Sequence, residues 1–124
     1  MSREPSPRRG ERGAVTAEAA MVLPAMVAVT AALVWVLSLV LGQVRVVDAA
    51  REGARVAARG DGEAAAVAAA RRVAPSGATV SVVRSGDTVT VTVTARLDGP
   101  GGVVGSLPGA EVAADAVAAV EVGV

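Results

Sequence analysis

The 124-residue chain predicts an α+β fold: a long N-terminal helix, transmembrane at first and then amphipathic, a second short helix, and a small three-stranded antiparallel sheet. Three patterns carry that reading. From Ala19 to Leu41 every residue is apolar apart from Pro24, Thr30 and Ser38, and about twenty such residues span a hydrocarbon core about 30 Å thick. Beyond Gly42 the apolar residues recur at spacings of three and four, the period of an amphipathic helix. After Pro75 the period falls to two, the mark of strands with one covered face.

Taken in order, residues 1–13 (MSREPSPRRGERG) are polar, contain Pro5 and Pro7, and carry Arg3, Arg8, Arg9 and Arg12. Such a segment buries too little apolar surface to order itself, so a flexible tail is expected. One helix is then expected over 14–59, with residues 14–42 in the membrane and 43–60 as its extension. Pro24 removes a backbone hydrogen bond inside it and predicts a kink. In the extension Val44, Val47, Ala50, Ala54 and Ala57 share a face, while Asp48 with Arg51 and Glu52 with Arg55 form i,i+3 pairs worth a few tenths of a kcal/mol. At about 1.5 Å per residue this helix reaches roughly 70 Å, well beyond a bilayer.

"RGDGE" at 59–63 opens the small domain, residues 61–124. Gly60 is expected to end the long helix and Asp61 to cap the next, an alanine-rich segment from Glu63 to Ala74 that stops at Pro75. "ATVSVV" (78–83), the turn "RSGD" (84–87) and "TVTVTVTARL" (88–97) predict a hairpin. Val89, Val91, Val93 and Ala95 point one way; Thr88, Thr90, Thr92, Thr94 and Arg96 point the other. The glycine- and proline-rich segment 98–109 lacks the lysine and the strand–loop–helix setting of a phosphate-binding loop, and reads as a plain loop. The last segment allows either state. Alanine favours helix, yet Val112, Ala114, Ala116, Ala118, Val120 and Val122 line one face at period two, with Asp115 and Glu121 opposite, so a third strand is expected.

A sheet with one apolar face needs a cover, and the helices are available. The part after Gly60 has no aromatic side chain. A domain of about 64 residues buries only about 60% of its surface and is marginal alone. It is expected to depend on the long helix, where Ala50, Gly53, Ala54 and Ala57 permit close approach.

Composition narrows the function classes. The formal net charge is zero, so no global field points to nucleic acid. Cys, His, Tyr, Phe and Lys are absent, which removes the usual metal ligands, the thiol and amine nucleophiles, and disulfides. No cofactor and no small-molecule substrate is expected. The chain reads as a non-enzyme, a reading that Asp87, Asp98 or Glu111 converging in a pocket would overturn. Arg45, Arg51, Arg55 and Arg59 read as a solvated face, ahead of contacts to lipid headgroups or a partner. Trp35 fits a lipid-facing position and a packing contact equally. The "RGD" at 59–61 matches an adhesion tripeptide that occurs commonly by chance.

One residue stands out. Glu18 sits at the mouth of the apolar run, where a carboxylate can reach the headgroups as an interfacial residue. Drawn deeper, it costs about 2.5–3.5 kcal/mol and is usually there for a partner. The segment Gly13-Ala14-Val15-Thr16-Ala17-Glu18, with a basic tail and Arg12 before it and the apolar helix after, resembles the prepilin signal of type IV pilins. A second stretch, "DAAREGARVAARGD" at 48–61, resembles the segment after the membrane helix in TadE-like proteins, minor pilins of the tight-adherence (Tad/Flp) pilus system. Its core is Ala49, Ala50, Arg51, Glu52, Gly53, Ala54 and Arg55. The order of parts also matches, although the distal domain lacks the aromatics and cysteines of many relatives.

The resemblance implies cleavage by a prepilin peptidase after Gly13 on the cytosolic face, freeing the amine of Ala14. Glu18 would then oppose an ammonium, its own or a neighbouring subunit's, in a helix bundle of low dielectric, near a helix N-terminus that favours anions. Implied partners are other pilins, Tad assembly-platform proteins, the peptidase and membrane lipid. The implied place is the bacterial cytoplasmic membrane, single-pass, with the N-terminus cytosolic, the C-terminal domain outside, and entry into a surface pilus open. Charge alone does not orient the chain, because four arginines precede the span and the first turns beyond it carry another four, Arg45, Arg51, Arg55 and Arg59. The rival reading is an unprocessed, signal-anchored envelope binding module.

Overall fold

The computed structural model describes residues 9–99 and 109–120. In chain order the elements are α1 (Arg9–Ala58), α2 (Glu63–Val73), β1 (Thr79–Ser85), β2 (Thr88–Leu97) and β3 (Ala110–Ala119). The chain divides into two compact units between Val34 and Trp35.

Among the described residues the first unit is helix alone. Met21, Leu23, Met26, Val27, Val29 and Leu33 are all exposed, so the helix is apolar on every side, the signature of a segment solvated by lipid. Mean hydropathy reaches 2.4 over its most apolar window, of which only 6% is buried. Two hydroxyls of this unit are satisfied within the helix. Thr16 Oγ1 donates to the Arg12 carbonyl at 2.9 Å and Thr30 Oγ1 to that of Met26 at 2.8 Å, which removes most of the cost of carrying them into lipid. The helix runs through Pro24.

The start of α1 departs from the expected flexible tail, since residues 9–13 are helical. Propagation explains it: once the apolar segment is helical, each added residue gains a hydrogen bond without a new nucleation cost. Arginine and glutamate are good helix formers, and Glu11 in the first turn complements the dipole. The rest of the expected tail, residues 1–8, lies outside the described residues.

The second unit holds the remainder of α1, α2 and the sheet. The strands run in the order β1-β2-β3, each antiparallel to the next. β1 and β2 are joined by Gly86 and Asp87. Gly86 takes φ 56° at the first central position while Asp87 keeps a negative φ, the arrangement of a II′ hairpin turn, which suits the twist of the flanking strands. The terminal segment is a strand, paired with β2 from Ala110–Leu97 to Ala119–Thr88. The helical preference of its alanines yields to cross-strand pairing and burial of one face. The expected loop is described only at its two ends, and Glu121 and Val122 lie outside the described residues.

The sheet's inner face follows the predicted alternation. Val89, Val91 and Val93 are fully buried, with Ala95 and Val112 beside them and Val80, Val82, Ala114, Ala116 and Ala118 packed around. The threonines of β2 lie on the other face, as an antiparallel sheet with one wet side requires. Both helices cover the inner face. Gly53 of α1 marks the junction: a Cβ there would stand 3.0 Å from Val91 Cγ1, 3.2 Å from Ala70 Cβ and 3.3 Å from the Ala66 carbonyl oxygen.

Three local expectations are corrected. The buried stripe of α1 is Val46, Ala49, Ala50, Gly53, Ala54, Val56 and Ala57, whereas Val44 is 51% exposed and Val47 half-buried. The helix is covered by the sheet and by α2 together, which widens the buried arc and turns its centre away from Val44. Asp61 does not cap α2. Gly62 holds the cap position with no side-chain bond, and Asp61 Oδ2 meets Arg59 Nε at 3.3 Å instead. Lastly α2 ends at Val73, and Ala74 is extended with its N–H on the Ala70 carbonyl, the conformation that a following proline favours.

Candidate functional site

The first candidate region is the start of α1. Gly13, Ala14 and Glu18 are all exposed, and the Gly13–Ala14 bond lies within the helix. Nothing stands within 4 Å of where a Gly13 side chain would begin. One helical turn from Glu18 in either direction lie Ala14, Val15, Met21 and Val22, all without charge. Glu18 forms no ion pair among the described residues. Among the described residues no cation stands within one helical turn of this carboxylate.

The second region is the stretch singled out at 49–55. The structure divides it cleanly by burial. Ala49, Ala50, Gly53 and Ala54 are buried against α2 and the sheet, while Arg51 and Arg55 are exposed and Glu52 is half-exposed. Small residues there let α1 approach the valines of β2 to van der Waals distance, so this half of the pattern is packing. Glu52 Oε2 and Arg55 Nη1 stand 3.7 Å apart in the expected i,i+3 pair; Asp48 and Arg51 form none among the described residues. The charged members of the "RGD" pair with each other across Gly60, both exposed.

Other groups stay apart. Asp87 sits at the β1–β2 turn, and Asp98 and Glu111 at the opposite end of the sheet. Ten residues of β2 separate Asp87 from Asp98, about 33 Å of extended chain. No group of acids suited to a metal ion occurs among the described residues.

Sequence reasoning missed what lies at the foot of the second unit. Gly42, the first residue after the apolar run, is buried under Leu97; a Cβ on Gly42 would collide with that side chain. Gln43 Nε2 donates to the Ala113 carbonyl at 3.2 Å. The pairing explains the target. Val120 N–H bonds to Asp87 across β2 and β3, so the alternation leaves Ala113 facing away from β2 on the sheet's free edge. Gln43 therefore occupies an edge acceptor. The available signal was a glycine and the chain's sole glutamine side by side at the end of the apolar run.

A protein of Mycobacterium tuberculosis (strain ATCC 25618 / H37Rv) named "Apoptosis inhibitor Rv3655c" is 41% identical over 106 residues, which cover 86% of this chain and 78% of that protein. The model of the TadE-like protein family matches residues 13–55. The chain belongs to the TadE-like family. Membership associates it with the Tad pilus. The family match begins at Gly13 and ends at Arg55, so it takes in Glu18, the apolar run and the packing stretch. Likeness to the mycobacterial protein continues well beyond that segment. That protein's name describes that protein. No solved structure matches this TadE-like chain.

Proposed function

We propose that this TadE-like protein is a minor pilin or pseudopilin that takes part in assembling or anchoring a Tad/Flp-type pilus, and that it acts without enzymatic chemistry. In this reading a prepilin peptidase cuts after Gly13, residues 1–13 face the cytosol, and residues 61–124 lie outside. The freed helix packs among the apolar helices of other pilins and contacts the assembly platform. Glu18 opposes an ammonium there. The observation that carries the reading is a carboxylate with no ion pair among the described residues, at the border of a helix that is apolar on every side, five residues after a glycine. Helical geometry at residues 9–13 is compatible with cleavage. Gly10 and Gly13 each cost a helix about 1 kcal/mol, so the first turns open easily for a peptidase.

Replacing Gly13 tests the processing step. Gly13→Leu meets no obstacle in the folded chain but obstructs close approach of the backbone to an enzyme. The variant is expected in the membrane at its full length, while the parent chain migrates at the shorter length. A normal mobility shift in Gly13→Leu overturns cleavage after Gly13. Full-length migration of both chains supports the unprocessed, signal-anchored module instead.

A further inference from the structure

A cleft of about 220 Å³ lies at the foot of the second unit, lined by Ser38, Leu41, Gly42 and Arg45 of α1 together with Pro75 and Leu97. Its position along α1 is informative. Leu41 is the last residue of the apolar run and Arg45 lies one turn beyond it, so the cleft straddles the level at which the helix leaves hydrocarbon. Its lower end is lined by Leu41 and Ser38, and the exposed side chain of Leu37 lies one turn below Leu41 on the same helix. The upper end carries Arg45, which is exposed and forms no ion pair among the described residues. The closest acid on its own helix is Asp48, and it too is exposed.

We propose that this cleft binds one phospholipid of the leaflet adjoining residues 42–124. The Arg45 guanidinium takes the headgroup phosphate, and the acyl chains leave along Leu41, Leu37 and Leu97. Arginine suits the role because its planar fork holds two phosphate oxygens at once. Gly42 matters because it lets Leu97 settle on α1 and close the apolar side. The lipid would thereby seat the outer unit on the bilayer surface and hold it there. The inference rests on the apolar run lying in a bilayer, but on neither leader cleavage nor pilus assembly.

The test uses the full chain reconstituted in vesicles of phosphatidylcholine and phosphatidylglycerol. Each variant is first checked for resistance to alkaline extraction. It is then transferred to mild detergent, and retained phospholipid is counted by native mass spectrometry. The parent chain is expected to keep one phospholipid. Arg45→Gln should lower retention about tenfold or more, the scale of a lost charge-assisted bidentate contact. Arg45→Lys should fall between the two, and Arg51→Gln, an exposed arginine away from the cleft, should match the parent. Equal retention by Arg45→Gln and the parent overturns the site, as does equal loss in Arg51→Gln. Displacement of the lipid by millimolar inorganic phosphate also overturns it, by showing a site for a soluble anion. Extraction of the parent chain at alkaline pH overturns the membrane reading itself, and the site with it.

Discussion

Gly53 and Glu18 show two different ways in which a single position constrains this chain. At Gly53 the constraint is space. An added methyl would gain about 1 kcal/mol of helix propensity, but it would press on Val91, on Ala70 and on the Ala66 carbonyl of the α2 backbone. Two of those neighbours are a methyl and a main-chain oxygen with no flexible end to yield, and overpacking costs about 1–3 kcal/mol. Gly53→Ala is therefore expected to lower the thermal midpoint and Gly53→Val to lower it further, while Gly10→Ala, in open space, should not destabilise. A Gly53→Val chain as stable as the parent would refute the close approach. At Glu18 the constraint is charge. Glu18→Ala removes an anion from the membrane border, so insertion and cleavage should continue. Association should fail, because leaving one half of a buried pair typically costs about 3–5 kcal/mol, enough to suppress incorporation by two or more powers of ten. Cross-linking to the other pilins and counts of surface pili measure this. Wild-type piliation would leave Glu18 as an interfacial residue.

The elements explain why the part of the chain beyond the apolar run is a compact unit at all. Among the described residues nearly half of its buried apolar side chains belong to α1, namely Val46, Ala49, Ala50, Ala54, Val56 and Ala57. The valines of β2 face them across the core. Residues 61–124 without α1 would expose Val89, Val91 and Val93 to water, each worth about 1.5–3 kcal/mol when fully buried. A fragment of residues 61–124 is expected to be largely unstructured by circular dichroism, and one of 43–124 to melt cooperatively. A sharp transition in the shorter fragment would refute this dependence. The strands were legible because period two leaves little ambiguity: Val89, Val91 and Val93 alternate with threonines, and 84–87 marked a turn, although Arg84 and Ser85 extend β1 and only Gly86 and Asp87 make the turn. Even the alanine-rich β3 declared itself through Val112 and the alternation after it. The interior face of α1 was less legible. In an alanine-rich helix the neighbours decide which arc is buried, and Val46 prevailed over Val44 only once α2 and the sheet were both in place. Asp61 failed as a cap for a similar reason: Gly62 can take φ 96°, which starts α2 one residue later than an aspartate cap would.

For the whole molecule, the decisive feature is the border between polar tail and apolar helix. It was legible because a glycine, a glutamate five residues on, and an uninterrupted apolar run are all sequence properties that need no tertiary contact. The cleft beside Arg45 was not, since Pro75 and Leu97 reach Gly42 only through the fold. Orientation is likewise invisible to charge counting, with four arginines in the tail before the span and four in the helical turns just after it. Cleavage would settle it, because only the side facing the peptidase loses its leader. The most direct measurement is N-terminal sequencing of the membrane-bound protein purified from cells that make Tad pili. The account predicts a chain that begins at Ala14; a chain that begins at Met1 would contradict it.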